Sequence, residues 1–159
     1  MLNTKFGLPT FYAAAGHLFM HMFAAFYFVI VLGIEDDWQL SYDELVDLWF
    51  IGSLLVGLGS IPCGWLSDRW SRSGMIAVMF IGLGLAAIFC GLSDNKVILM
   101  LNLSLLGLFC SIYHPAGISW VINMSENTGR ALGFNNIFGG VGIGLGAMSS
   151  GYLVDSLCT

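Results

Sequence analysis

Long apolar runs separated by short polar connections dominate this chain. Five stand out, near Phe11–Ile34, Leu45–Leu66, Met75–Leu92, Val97–Ile122 and Ala131–Leu153. Each is long enough to cross a bilayer as a helix, which takes about 20 residues. The short connections predict antiparallel neighbours. No linker and no tandem repeat divides the chain. The pattern predicts an all-α fold, a polytopic helix bundle forming one transmembrane domain over residues 1–159.

Composition agrees. The chain is 57% hydrophobic and 9% charged, with a mean hydropathy of +0.84. A soluble domain carries roughly a quarter charged residues, so this chain lacks the charge to coat a water-facing surface. The net charge of -5 says less than the position of each cation. Lys5, Arg69, Arg72 and Arg130 fall on one side of the predicted spans, and Lys96 lies opposite, beside Asp94. The excess places the N-terminus and the 67–74 and 123–130 loops in the cytoplasm, for a multi-pass membrane protein. Glu35, Asp36, Asp37, Asp43, Glu44 and Asp47 then cluster outside, and a fifth span puts the C-terminus outside too.

Local signals fit this frame. Ser41-Tyr42-Asp43-Glu44 has the spacing of a capping box, with Leu40 and Leu45 placed as its hydrophobic staple. Span two should therefore begin with a water-exposed turn. Trp65, Trp70 and Trp120 fall near the predicted inner interface, where indoles prefer to sit. Cys63, Cys90, Cys110 and Cys158 are scattered without a C-x-x-C, so neither a disulfide framework nor a zinc site is expected. The first apolar run is longer than the core of a signal peptide and no clear cleavage site follows it, which makes it a retained span.

Lipid gives helices no hydrophobic drive to associate, so small residues and polar contacts must hold the bundle. Ser53, Gly57, Ser60 and Gly64 share one face of span two, and Asn136, Gly140, Gly144, Ala147 and Gly151 share one face of span five. These faces read as packing grooves. A sharper reading lets them slide during transport. The Gly140–Gly146 stretch is no nucleotide loop, because it lies inside a span, follows no strand and lacks a Lys-Ser/Thr.

Tyr113-His114-Pro115-Ala116-Gly117 interrupts span four with a titratable ring and a helix breaker. Pro115 has no amide hydrogen and leaves the Ser111 carbonyl without its helical partner. Such a break is tolerated where protein or a water-lined cavity covers it. Ser104, Gly107, Ser111, His114 and Gly117 form one small, polar stripe. His17 and His21 lie four apart on span one. Three readings of the histidines compete: hydrogen bonds between helices, a substrate or proton path, or a metal site. The chain supplies no acidic residue at comparable depth, which ranks metal last. If the segment takes part in proton coupling, the histidines are its obvious carriers, since an ordinary imidazole titrates near about 6.5. Tyr113, Asn135 and Asn136 are further polar candidates.

Between spans two and three the chain reads Gly-Trp-Leu-Ser-Asp-Arg-Trp-Ser-Arg-Ser, 64 to 73. This resembles the signature loop of the major facilitator superfamily, approximately G-x-L-A-D-R-x-G-R-K. Gly64, Leu66, Asp68, Arg69 and Arg72 match, while Ser71 and Ser73 depart from it. Asp68 sits at the C-terminal end of a helix, the wrong end for an anion, and needs a partner such as Arg69 or Arg72. The resemblance implies that Gly64, Asp68, Arg69 and Arg72 belong to a cytoplasmic latch between two transporter halves. The YHPAG segment, the paired histidines of GHLFMH at 16–21, and Arg130–Ala147 are similar to the fosmidomycin-resistance-like branch. An Arg in span four and a Gly-Pro motif in span five, common in the superfamily, are missing. Members normally have twelve spans in two halves of six, so five spans read as the N-terminal part of one.

The expectation is thus part of a secondary transporter that moves a small solute by alternating access. Its partners are the lipid bilayer, the solute, a candidate proton, and a missing C-terminal half or second chain. Its candidate path comprises His17, His21, Tyr113, His114, Pro115, Asn135 and Asn136. No cofactor, metal or nucleic acid is expected, and no nucleophile–base pair suggests an enzyme. The competing reading is a non-transporting membrane assembly protein or truncated relic, whose small-residue faces serve association alone.

Overall fold

The computed structural model describes residues 7–157. Lys5 and Cys158 lie outside the described residues, as does the side chain of Asp36. The described chain is helical from end to end: α1 (Leu8–Trp38), α2 (Tyr42–Asp47), α3 (Phe50–Arg69), α4 (Arg72–Gly91), α5 (Lys96–Cys110), a single π-turn at His114–Ile118, α6 (Ser119–Met124) and α7 (Thr128–Leu157). Among the described residues, five helical stretches are long and apolar enough to cross a membrane. All five predicted spans are present. Span two is α2 and α3 joined through Leu48 and Trp49, and span four is α5, the π-turn and α6.

The starts of the helices follow from side chains that satisfy free amides. At α2 the Glu44 amide donates to Ser41 Oγ at 3.4 Å and the Ser41 amide donates to Glu44 Oε2 at 2.9 Å. This is the predicted capping box, and Leu45 is fully buried beneath it. Ser71 starts α4 by accepting from the Gly74 amide, and Asn95 starts α5 by accepting from the Val97 and Ile98 amides. Pro9 occupies the first turn of α1, where no amide hydrogen is needed.

Packing does not follow chain order. α1 lies along α7, and α5 is wedged between α3 and α4, which barely touch although they are consecutive. Glycines make both approaches possible. Gly142 and Gly146 of α7 lie against the backbone of Leu18 and Met22 in α1, and Gly107 of α5 lies against the backbone of Gly52 in α3. A continuous core runs through Met79, Leu83, Leu103, Leu106, Cys110 and Tyr113. The opposite faces carry large apolar groups outward, such as Ile61 and Met148, both about three-quarters exposed at 75% and 74%. Water would not tolerate so many; lipid does.

The predicted packing faces are displaced. Among the described side chains of α7 the buried residues are Ala131, Asn135, Gly139, Gly142, Gly146 and Ser150. Asn136, Gly140, Gly144 and Ala147 are exposed instead, and nothing stands within 4 Å of a β-carbon built on Gly140 or Gly144. On α3, Gly52, Gly59 and Ser67 are buried, whereas Ser53 is exposed and Gly57 faces open space. Gly64 alone of the predicted α3 glycines meets another helix, with Pro115 Cβ 3.3 Å from its built β-carbon. On a helix this rich in glycine and serine several faces are smooth, and spacing does not choose among them.

Candidate functional site

Three elements bring five polar side chains together. α1 contributes His17 and His21, which share a face because they lie one turn apart. The junction of α5 and the π-turn contributes Tyr113 and His114, and α7 contributes Asn135. Pro115 explains the local geometry of the second group. Proline cannot donate to the ladder, and the backbone absorbs this by widening to a π-turn, an arrangement often found at functional positions. The next amide, Ala116, donates to the Ile112 carbonyl at 3.2 Å. Ala116 and Gly117 are buried, so the break faces protein as expected.

Tyr113 is fully buried, and its ring stacks on His17 with centroids 4.6 Å apart and planes 14° apart. Its hydroxyl donates to Asn135 Oδ1 at 2.7 Å. Two Asn135 atoms flank His17 Nδ1: the backbone carbonyl at 2.9 Å and the side-chain Nδ2 at 3.2 Å. The carbonyl oxygen can only accept, and it is the closer, so we assign the imidazole proton to Nδ1. That tautomer leaves a lone pair on His17 Nε2. His21 Nε2 lies 3.2 Å from it and donates. His114 stands edge-on to both rings, with centroids 5.7 Å from His17 and 5.9 Å from His21. One nitrogen from each of the three histidines lies within 4.8 Å of the others. His17 is buried, while His21 is only partly so and His114 reaches the surface of the bundle.

The signature loop forms a second polar group at the α3–α4 junction. Arg72 Nη2 donates to Asp68 Oδ1 at 2.9 Å. Arg69 instead lies over the Trp65 ring, 4.2 Å from its centroid. The carboxylate at the unfavourable end of α3 therefore takes its compensation from Arg72. Trp65 and Trp70 are exposed at this end of the bundle.

Residues 13–157 match the family model described as Major Facilitator Superfamily. The chain belongs to that superfamily. It is a multi-pass membrane protein of a transporter family. Among curated proteins it is similar to the puromycin resistance protein pur8 of Streptomyces alboniger, with 27% identity over 129 residues. The match covers 79% of this chain and 24% of the relative, so the chain spans about a quarter of that relative's length. No solved structure matches it.

Of the candidate path residues in this superfamily member, His17, His21, Tyr113, His114 and Asn135 converge. Pro115 lies beside them against Gly64. Asn136 does not join them: it is exposed on the far side of α7, because one residue along a helix turns a side chain by about 100°. Gly16 and Gly139 are site residues that spacing did not reveal. A β-carbon on Gly139 would come 2.7 Å from the His17 ring, and one on Gly16 would come 3.1 Å from the Tyr113 ring. The signal for Gly139 was present as its place four residues after Asn135, a register indistinguishable in sequence from that of Gly140 after Asn136.

Proposed function

We propose that the chain forms part of a secondary transporter that moves a small organic solute by alternating access, and that the His17–His21–His114 cluster lines its path. The observation that carries this reading is the cluster itself, in a chain of this superfamily. Ionisable side chains are costly within membrane-spanning helices and mark substrate or ion pathways when they face a bundle interior. The π-turn at Pro115 sets His114 at the open edge of the cluster, where solute or a proton can reach it.

The rest of the reading supports this picture. The matched relative's name concerns puromycin resistance, which favours an organic solute of drug-like size. The likeness of the YHPAG segment and the paired histidines to the fosmidomycin-resistance-like branch supports assigning the chain to that branch. The Asp68–Arg72 pair, beside Gly64 and Arg69, acts as the cytoplasmic latch, with the N-terminus on the same side of the inner membrane. Exposed small-residue surfaces on α3 and α7 favour docking of further helices, supplied by a C-terminal half or a second chain.

Solute flux tests the reading. It is measured in cells expressing the chain together with the polypeptide encoded downstream of it, with and without His17→Asn, His21→Asn and His114→Asn. Loss of flux with retained membrane insertion is expected. Wild-type flux in all three variants, with unchanged pH dependence, would remove the histidines from the path. Absence of flux in every combination would favour the assembly reading.

A further inference from the structure

We propose that His17, His21 and His114 bind a divalent transition-metal ion of the zinc type. The site would be held in the membrane between α1 and the π-turn. The inference does not rest on transport, since occupancy can be read on the chain alone.

The geometry supplies the first argument. Imidazole nitrogens bind zinc at about 2.0–2.1 Å, so two of them on a tetrahedral ion stand about 3.3 Å apart. The Nε2 atoms of His17 and His21 are 3.2 Å apart. They already span one edge of such a tetrahedron. The third histidine has a nitrogen within 4.8 Å of both, and closes the set by a movement of about 1.5 Å. His114 is less buried than His17.

The surroundings supply the second. A metal-binding imidazole usually donates its other ring N–H to a carbonyl or carboxylate, which fixes the ring and the tautomer. His17 Nδ1 donates to the Asn135 carbonyl at 2.9 Å, which leaves Nε2 unprotonated as a ligand atom; a bound ion takes the place of the hydrogen bond from His21 Nε2, whose proton moves to Nδ1 of the same ring. Tyr113 stacks on one side of the His17 ring, and Gly139 leaves space where a β-carbon would strike it. The ring is preorganised on three sides. His21 and His114 are more open than His17 and leave an entry path.

Ligand type supplies the third. Three imidazoles without a carboxylate or thiolate suit zinc, cobalt, nickel or copper and exclude magnesium and calcium, which prefer oxygen. The chain supplies no acidic residue at this depth. A three-histidine site needs none among its protein ligands. Its two positive charges in lipid do need an anion, and the open fourth position can take one: hydroxide, or an anionic group of a solute.

The test is Co2+ titration of the full chain in lipid nanodiscs, prepared without a polyhistidine tag and followed by visible absorption. The expected result is one Co2+ per chain with the intense bands of a four-coordinate site, displaced by Zn2+. His21→Gln and His114→Gln should each weaken Co2+ binding at least about tenfold while helical circular dichroism stays unchanged. His114→Gln is the decisive variant, because its side chain is open and its loss leaves the buried core intact. No saturable Co2+ binding by the wild-type chain would overturn the proposal. Equal affinity in the wild type and both variants would do the same.

Discussion

The Tyr113 ring lies nearly parallel to the His17 imidazole, 4.6 Å from centroid to centroid, and its hydroxyl holds the Asn135 side chain. One residue therefore couples span one to span five through span four. The ring packs and the hydroxyl positions, and the two roles are separable.

Tyr113→Phe keeps the stack and removes the bond to Asn135. Interhelical hydrogen bonds in membranes average about 0.6 kcal/mol and reach about 1.7, so a loss in this range is expected. Tyr113→Ala removes the buried ring and should cost about 3–5 kcal/mol. Reversible unfolding from mixed micelles measures both. Equal losses for the two variants would contradict the division of roles.

Gly139 and Gly140 test the register of α7. A β-carbon at Gly139 meets the His17 ring at 2.7 Å, while one at Gly140 meets nothing within 4 Å. Gly139→Ala should destabilise the chain by about 1–3 kcal/mol and disturb the histidine cluster. Gly140→Ala should stay within about 0.5 kcal/mol of wild type. Thermal unfolding of the two variants in the same detergent decides the point, and the reverse ranking would restore the face built on Asn136.

The Asp68–Arg72 pair is partly exposed, with side-chain exposures of 64% and 35%. Exposed ion pairs contribute about 0.2–1 kcal/mol. Asp68→Asn should therefore leave the stability of this chain almost unchanged. If the pair belongs to a latch, the same substitution in the complete transporter should reduce solute flux severalfold. A large stability loss in the isolated chain, with normal flux in the transporter, would make Asp68 structural.

The charge of a bound metal ion predicts a response to anions. Azide or acetate added to the Co2+-loaded chain should shift the visible bands by entering the fourth position. Bands insensitive to both at saturating concentrations would mean that a protein group already fills that position.

Much of the architecture is legible in the sequence. Ser41 and Glu44 could be paired by spacing alone, because a capping box is a contact within one turn. The compensation of Asp68 was legible as a need, and Arg72 meets it from the start of the next helix, four residues on. The convergence of His17 with His21 followed from helical periodicity. By contrast, the stacking of His17 on Tyr113 joins residues far apart in the chain, and no local rule aligns them. The π-turn at Pro115 illustrates the boundary between the two cases. The missing amide was certain from the sequence, whereas the way the backbone widened to accommodate it depended on the helices packed around it.

The residues alone determined that the chain is helical, that five stretches suit a membrane, and where polar groups interrupt them. Those properties follow from hydrogen-bond needs in lipid and from runs of apolar side chains, both local along the chain. Only the tertiary structure decided which glycine face of α7 meets α1, and hence that Asn135, rather than Asn136, reaches His17. In lipid the hydrophobic effect does not select a face, so the choice falls to close steric fit between helices. Such a fit is made between Gly142 and Leu18, residues of different helices, and exists only once both are in place.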